Sequence, residues 1–108
     1  MLYELRTYTA CPGKLPNVVA RFRDFTAAKF TEHGFRIIGF WTPQVGGSSH
    51  ELIYMLAWES YEERSRCFAA FREDPERARV FAESEKDGPI VADVQNVMLA
   101  PTDFSPLN

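Results

Sequence analysis

From Leu2 to Thr9 the chain alternates in character, with Glu4, Arg6 and Tyr8 on one side of a strand and Tyr3, Leu5 and Thr7 on the other. A strand so divided must cover its polar face or use it. After the turn Ala10-Cys11-Pro12-Gly13, the apolar period changes from two to three and four. Leu15, Val18, Val19, Phe22, Phe25, Thr26 and Phe30 form one stripe opposite Asn17, Arg21, Asp24 and Glu32. This predicts a helix from Leu15 to His33, with Pro16 in its first turn and Gly34 as its stop.

Phe35 to Thr42 reads as a second strand, apolar on both faces and ended by Pro43. The Gly/Ser-rich stretch from Gln44 to His50 then connects it to a third strand, Leu52 to Trp58, whose faces are Leu52, Tyr54, Leu56, Trp58 and Ile53, Met55, Ala57. Ser60 with Glu63 forms a capping box for a helix through about Arg72, with Tyr61, Ser65, Phe68 and Phe71 inward. Asp74-Pro75 opens another helix, to about Lys86, and Asp87-Gly88-Pro89 ends it. Ile90 to Ala100 is a long fourth strand, followed by a tail to Asn108.

The order β-α-β-β-α-β predicts an α+β, ferredoxin-like domain over residues 1–108, with a four-stranded antiparallel sheet and helices on one face. The uncovered sheet face is too apolar for water. Two copies packed face to face, a dimeric α/β barrel, would bury it, so a homodimer is expected.

Composition narrows the partners. A chain of 108 residues with 45% hydrophobic, 14% aromatic and 25% charged residues is globular, and a formal net charge of −3 without a basic stripe gives no expectation of a nucleic-acid partner. Cys11 and Cys67 lie in unrelated settings, with no CxxC pair or Cys/His cluster, so neither a metal site nor a cofactor is predicted. His33 reads as a helix-end residue and His50 as a solvated loop residue. No apolar run reaches membrane-spanning length and no signal-peptide pattern opens the chain, which predicts a cytoplasmic protein without membrane insertion.

Glu4, Arg6 and Tyr8 are the leading catalytic candidates. A carboxylate beside a guanidinium can orient a ligand carboxylate or enol, with Tyr8 as hydrogen-bond donor or acid. The same pattern also suits a salt bridge between subunits. Trp41, Tyr54 and Trp58 are candidates for an apolar ligand pocket, although core or dimer packing explains them equally, and the pattern does not fix the face of Trp41. Arg64 and Arg66 with Glu62 and Glu63 read as a solvated helix face with local ion pairs.

Taken together, Tyr3-Glu4-Leu5-Arg6-Thr7-Tyr8, Pro12-Gly13-Lys14, Gly39-Phe40-Trp41, the run from Trp58 to Arg64, Asp74-Pro75 and the Pro101 to Pro106 tail resemble the NIPSNAP family of the dimeric α/β-barrel superfamily. The resemblance spans essentially the whole chain. It implies a homodimeric ferredoxin-like barrel without a metal requirement and without a defined reaction. In fold the family is similar to antibiotic-type monooxygenases, haem-degrading enzymes and stress-responsive barrel proteins, an analogy that does not carry function by itself. The expectation is a homodimer binding a small apolar or aromatic molecule between sheet and helices. Its alternatives are a cofactor-independent monooxygenase or isomerase acting on an enolisable aromatic, with Arg6 orienting it and Glu4 or Tyr8 exchanging protons, and a non-catalytic scaffold dimer.

Overall fold

The computed structural model of the protein describes residues 1–108. Its elements are β1 (Leu2–Ala10), α1 (Leu15–Arg21), a π-helical turn (Phe22–Thr26), α2 (Ala27–Glu32), β2 (Arg36–Trp41), β3 (Glu51–Trp58), α3 (Tyr61–Glu73), α4 (Pro75–Ser84) and β4 (Val91–Leu99). The strands form one antiparallel sheet in the order β2-β3-β1-β4, the ferredoxin-like arrangement that the element order predicts. The caps form as the sequence requires. The Ser60 hydroxyl accepts from the Glu63 N–H, and the Asp74 carboxylate accepts from the Glu76 N–H ahead of α4.

The helices cover the face that carries Leu52, Tyr54, Leu56 and Trp58, all buried. Register places Glu4 opposite Leu56 and Arg6 opposite Tyr54, so the polar side of β1 turns toward the helices as well. Phenylalanines from the π turn, α2, α3 and α4 meet there. The Phe30 and Phe35 rings stack with centroids 4.2 Å apart, and Phe68 and Phe71 close on them edge-on.

The first helix departs from its expected regularity. In the middle of the stretch predicted as one helix, the Ala27 N–H bonds to the Phe22 carbonyl, five residues back. One extra residue in that turn lengthens the return to the same face. Arg21, expected on the wet side with Asn17 and Asp24, sits just before this turn, three residues after Val18, and is buried with Val18, Phe22 and Phe30. In α3 the inward side is set by Cys67, Phe68 and Phe71, while Tyr61 and Ser65, expected inward, fall at its flank, and Tyr61 is 57% exposed.

Leu5, Trp41, Ile53, Met55, Val97 and Leu99 share the opposite sheet face, which no helix covers. The tail crosses one end of it, where Pro101 and Leu107 lie against Tyr3, Met55 and Leu99. A bulge between Ile37 and Gly39 sets the facing of the second strand, so that Phe40 pairs with Tyr54 on the helix side and Trp41 with Ile53 on the open side. The Trp41 indole then lies over Gly39, where an added Cβ would stand 2.7 Å from two ring carbons. Since the ring is 50% exposed and free to swing, Gly39→Ala should shift tryptophan emission while lowering unfolding free energy by less than about 1 kcal/mol. Unaltered emission would mean that the indole does not rest on Gly39.

Candidate functional site

Glu4 sits at the centre of the covered face with no exposed surface. A bare carboxylate there would be far too costly, so donors converge on it from three strands and a helix. The Trp58 indole N–H donates at 3.0 Å, Asn96 Nδ2 at 2.8 Å and Arg6 Nη1 at 2.9 Å, while Arg64 donates through Nε and Nη2, each at 2.8 Å. Arg64 is thus no solvated residue of α3. Its fork grips Glu4 bidentately, and the charge pairing expected as a possible bridge between subunits closes within one chain. Burial works to raise the Glu4 pKa, but hydrogen bonds from Arg64, Asn96 and Trp58 and the charge of Arg6 outweigh it and bring it from 4.5 to about 2. Glu4 is a fixed anion, with its lone pairs already engaged.

Arg6 is held from both ends. Its Nη1 is on Glu4 and its Nε donates to the Tyr54 hydroxyl at 2.8 Å, while its guanidinium lies over the Phe68 ring. Burial, with the neighbouring Tyr8, raises the Tyr54 phenol well above its usual pKa of 10.0 despite the opposing Arg6 charge, so Tyr54 remains a neutral partner. Tyr8 packs edge-on against Phe22, with ring centroids 5.2 Å apart.

Beyond Arg6 and Tyr8 a cavity of about 90 Å³ lies between β1 and the helices. Arg21 from α1, Phe22 and Thr26 from the π turn, Phe30 from α2, Phe68, Phe71 and Arg72 from α3, and Arg77 and Phe81 from α4 complete its wall. Of the expected site residues, Arg6 and Tyr8 line it and Glu4 stands behind Arg6. The aromatic trio does not line it. Trp58 is a core residue tied to Glu4, Tyr54 is buried behind Arg6, and Trp41 is on the other side of the sheet. A second, largely apolar space of about 180 Å³ lies across Phe22, lined also by Val19, Ala27, Phe40 and Leu52.

Arg21, Arg72, Arg77 and Phe81 are the lining residues that sequence patterning misses. Arginines on three helices carry no common motif, and Arg21 is held inward by Ser84 and Phe81 of α4, a contact that leaves no mark in the residue pattern. Elsewhere, Glu32, His33 and Asp74 come close enough to suggest a cation site, but the Lys29 ammonium fills it, 2.7 Å from Glu32 and 3.1 Å from Asp74. His33 Nε2 lies 2.8 Å from the same Asp74 carboxylate, and the His33 and Lys29 contacts hold that group well below the usual carboxylate range.

The sequence model of the NIPSNAP family matches residues 3–106. No curated protein matches the chain in sequence. Among solved structures, a protein from Agrobacterium tumefaciens is similar at 24% identity over 100% of both chains, with a TM-score of 0.86. A NIPSNAP family protein from Agrobacterium tumefaciens strain C58 is similar at 26% identity over 99% of this chain and 98% of that one, with a TM-score of 0.84. A mutant of SnoaB, a cofactor-independent oxygenase from Streptomyces nogalater, shares the fold at 13% identity, covering 97% of this chain and 96% of its own, with a TM-score of 0.56.

Because the pKa of Glu4 is depressed on folding, its contribution to stability is fully present above pH 4.5 and is lost as pH falls toward about 2. The shift corresponds to roughly 3 kcal/mol. Glu4→Gln should therefore cost about that much in urea unfolding at neutral pH, and the gap to wild type should close as pH is lowered through this window. A gap that stays constant down to pH 2 would contradict the assignment.

Proposed function

The chain belongs to the NIPSNAP family, and on that footing we propose that it is a cytoplasmic homodimer that binds a small molecule with an apolar or aromatic body in the cavity between β1 and the helices. The observation that carries this reading is the cavity wall itself, where phenylalanine rings meet the polar side of β1. Mixed walls of this kind, mostly aromatic with a few fixed polar groups, suit orientation of a small ligand. The dimer is supported by the open sheet face, where Trp41, Val97 and Leu99 are exposed together. A second copy laid on that face would remove them from water and leave each cavity in its own subunit.

Arg6 and Tyr8, which reach the cavity together, favour a second reading. A cofactor-independent monooxygenase or isomerase acting on an enolisable aromatic would use Arg6 to hold an enolate oxygen and the Tyr8 hydroxyl to exchange a proton with it. Glu4 would then be a positioning residue. Its carboxylate on Nη1 and the Tyr54 hydroxyl on Nε fix the Arg6 guanidinium and leave Nη2 for the ligand.

Two measurements test the first reading. Light scattering after size exclusion should give twice the 12.4 kDa chain mass, and Met55→Asp on the open face should reduce it to the monomer. Native mass spectrometry of protein taken from cells should show a small-molecule adduct, which Arg6→Ala loses while staying dimeric. A wild-type monomer would sink the dimer. An Arg6→Ala protein that falls to monomers would instead make this residue part of a scaffold.

A further inference from the structure

The unpaired donors of the cavity identify the charge of its occupant. Building on the ligand-binding reading above, we propose that the cavity takes a small carboxylic acid, its carboxylate received by Arg21, Arg77 and Thr26 and its apolar body by the surrounding phenyl rings. Arg21 Nε, Arg77 Nε and Thr26 Oγ1 are all buried and have no hydrogen-bond partner in the protein. The Arg21 side chain is only 6% exposed and Thr26 only 2%. Buried polar atoms without partners each cost on the order of 1–3 kcal/mol, and folded proteins keep few of them, so three on one small cavity call for an acceptor.

Charge points the same way. The cavity wall carries the guanidinium groups of Arg6, Arg21, Arg72 and Arg77 and no carboxylate. Glu4 pairs with Arg6 but shares its single charge with Arg64, and Glu85 approaches Arg21 only at 3.5 Å from a solvent-facing position. Arg72 and Arg77 make no ion pair. Arg21 and Arg77 stack on the same ring, Phe81, at 3.9 Å and 4.4 Å from its centroid, so two cations are crowded around one aromatic. Burial lowers the Arg21 pKa, and the Arg77 charge adds to this, which a bound anion would relieve.

Size and lining choose among anions. A volume of about 90 Å³ holds roughly three waters, enough for a carboxylate and the first carbons of its body. Phe22, Phe30, Phe68 and Phe71 supply an apolar surface that suits carbon. A phosphate dianion would shed more hydration among those rings and gain nothing from them.

Ligand-observed NMR titration of the full-length protein tests this with propionate, the uncharged propionamide and inorganic phosphate as probes. Propionate should bind saturably and propionamide at least ~10-fold more weakly, about the worth of one charge-assisted hydrogen bond. Arg77→Met, which keeps the stem packed on Phe71 and Phe81, should weaken propionate by a similar factor without lowering the melting temperature, and Thr26→Val should weaken it less. Equal binding of propionate and propionamide, unchanged in Arg77→Met, would overturn the carboxylate and leave the apolar cavity standing. Phosphate displacing propionate at equal concentration would overturn the choice of anion. No binding by any probe, in a cavity that holds water only, would overturn both readings.

Discussion

A single buried carboxylate, Glu4, ties the layers of this fold together. Its five donors come from β1 itself, β3, β4 and α3, so one charge links three adjacent strands to the helix lying across them. Burying the ions costs several kcal/mol each, and only near-complete hydrogen bonding offsets that. The arrangement meets the condition: both carboxylate oxygens are shared among guanidinium, amide and indole donors. Orientation follows from it. β1 must point its polar side at the helices, α3 must sit where Arg64 reaches that side, and Trp58 must turn its N–H inward.

The π turn has the complementary effect on the other side of the cavity. It places Phe22 and Thr26 in the cavity wall beside Arg21, which enters from the last turn of α1. Charge near β1 is partly offset by Glu4, which serves both Arg6 and Arg64, whereas Arg72 and Arg77 have no ion-pair partner.

Much of this was legible in the residue pattern. The period-two and helical stretches, the two caps and the Gly-Pro punctuation give the element order with boundaries that move by one or two residues. The polar side of β1 could also be read as interior, because no apolar strand face elsewhere left it a wet place to go. What the pattern hides is set by tertiary convergence. Glu62, Glu63 and Arg64 look like any solvated helix start, yet Arg64 ends on a carboxylate sixty positions earlier in the chain. The facing of Trp41 depends on a one-residue bulge, and the burial of Arg21 on the packing of α4 against the first helix. Neither changes the hydrophobic pattern enough to be seen before the elements are packed.

Phe22 is where these hidden features meet. Its ring separates the arginine-lined cavity from the larger apolar space beneath Phe40 and Leu52, and it belongs to both walls. One side chain thus acts as a partition between a polar space and an apolar one. With the ring in place the polar end is a short chamber; with the ring trimmed to alanine the two spaces become one channel, polar at one end and greasy at the other. The division of the interior is set at a single position, apart from the charges that hold the layers together.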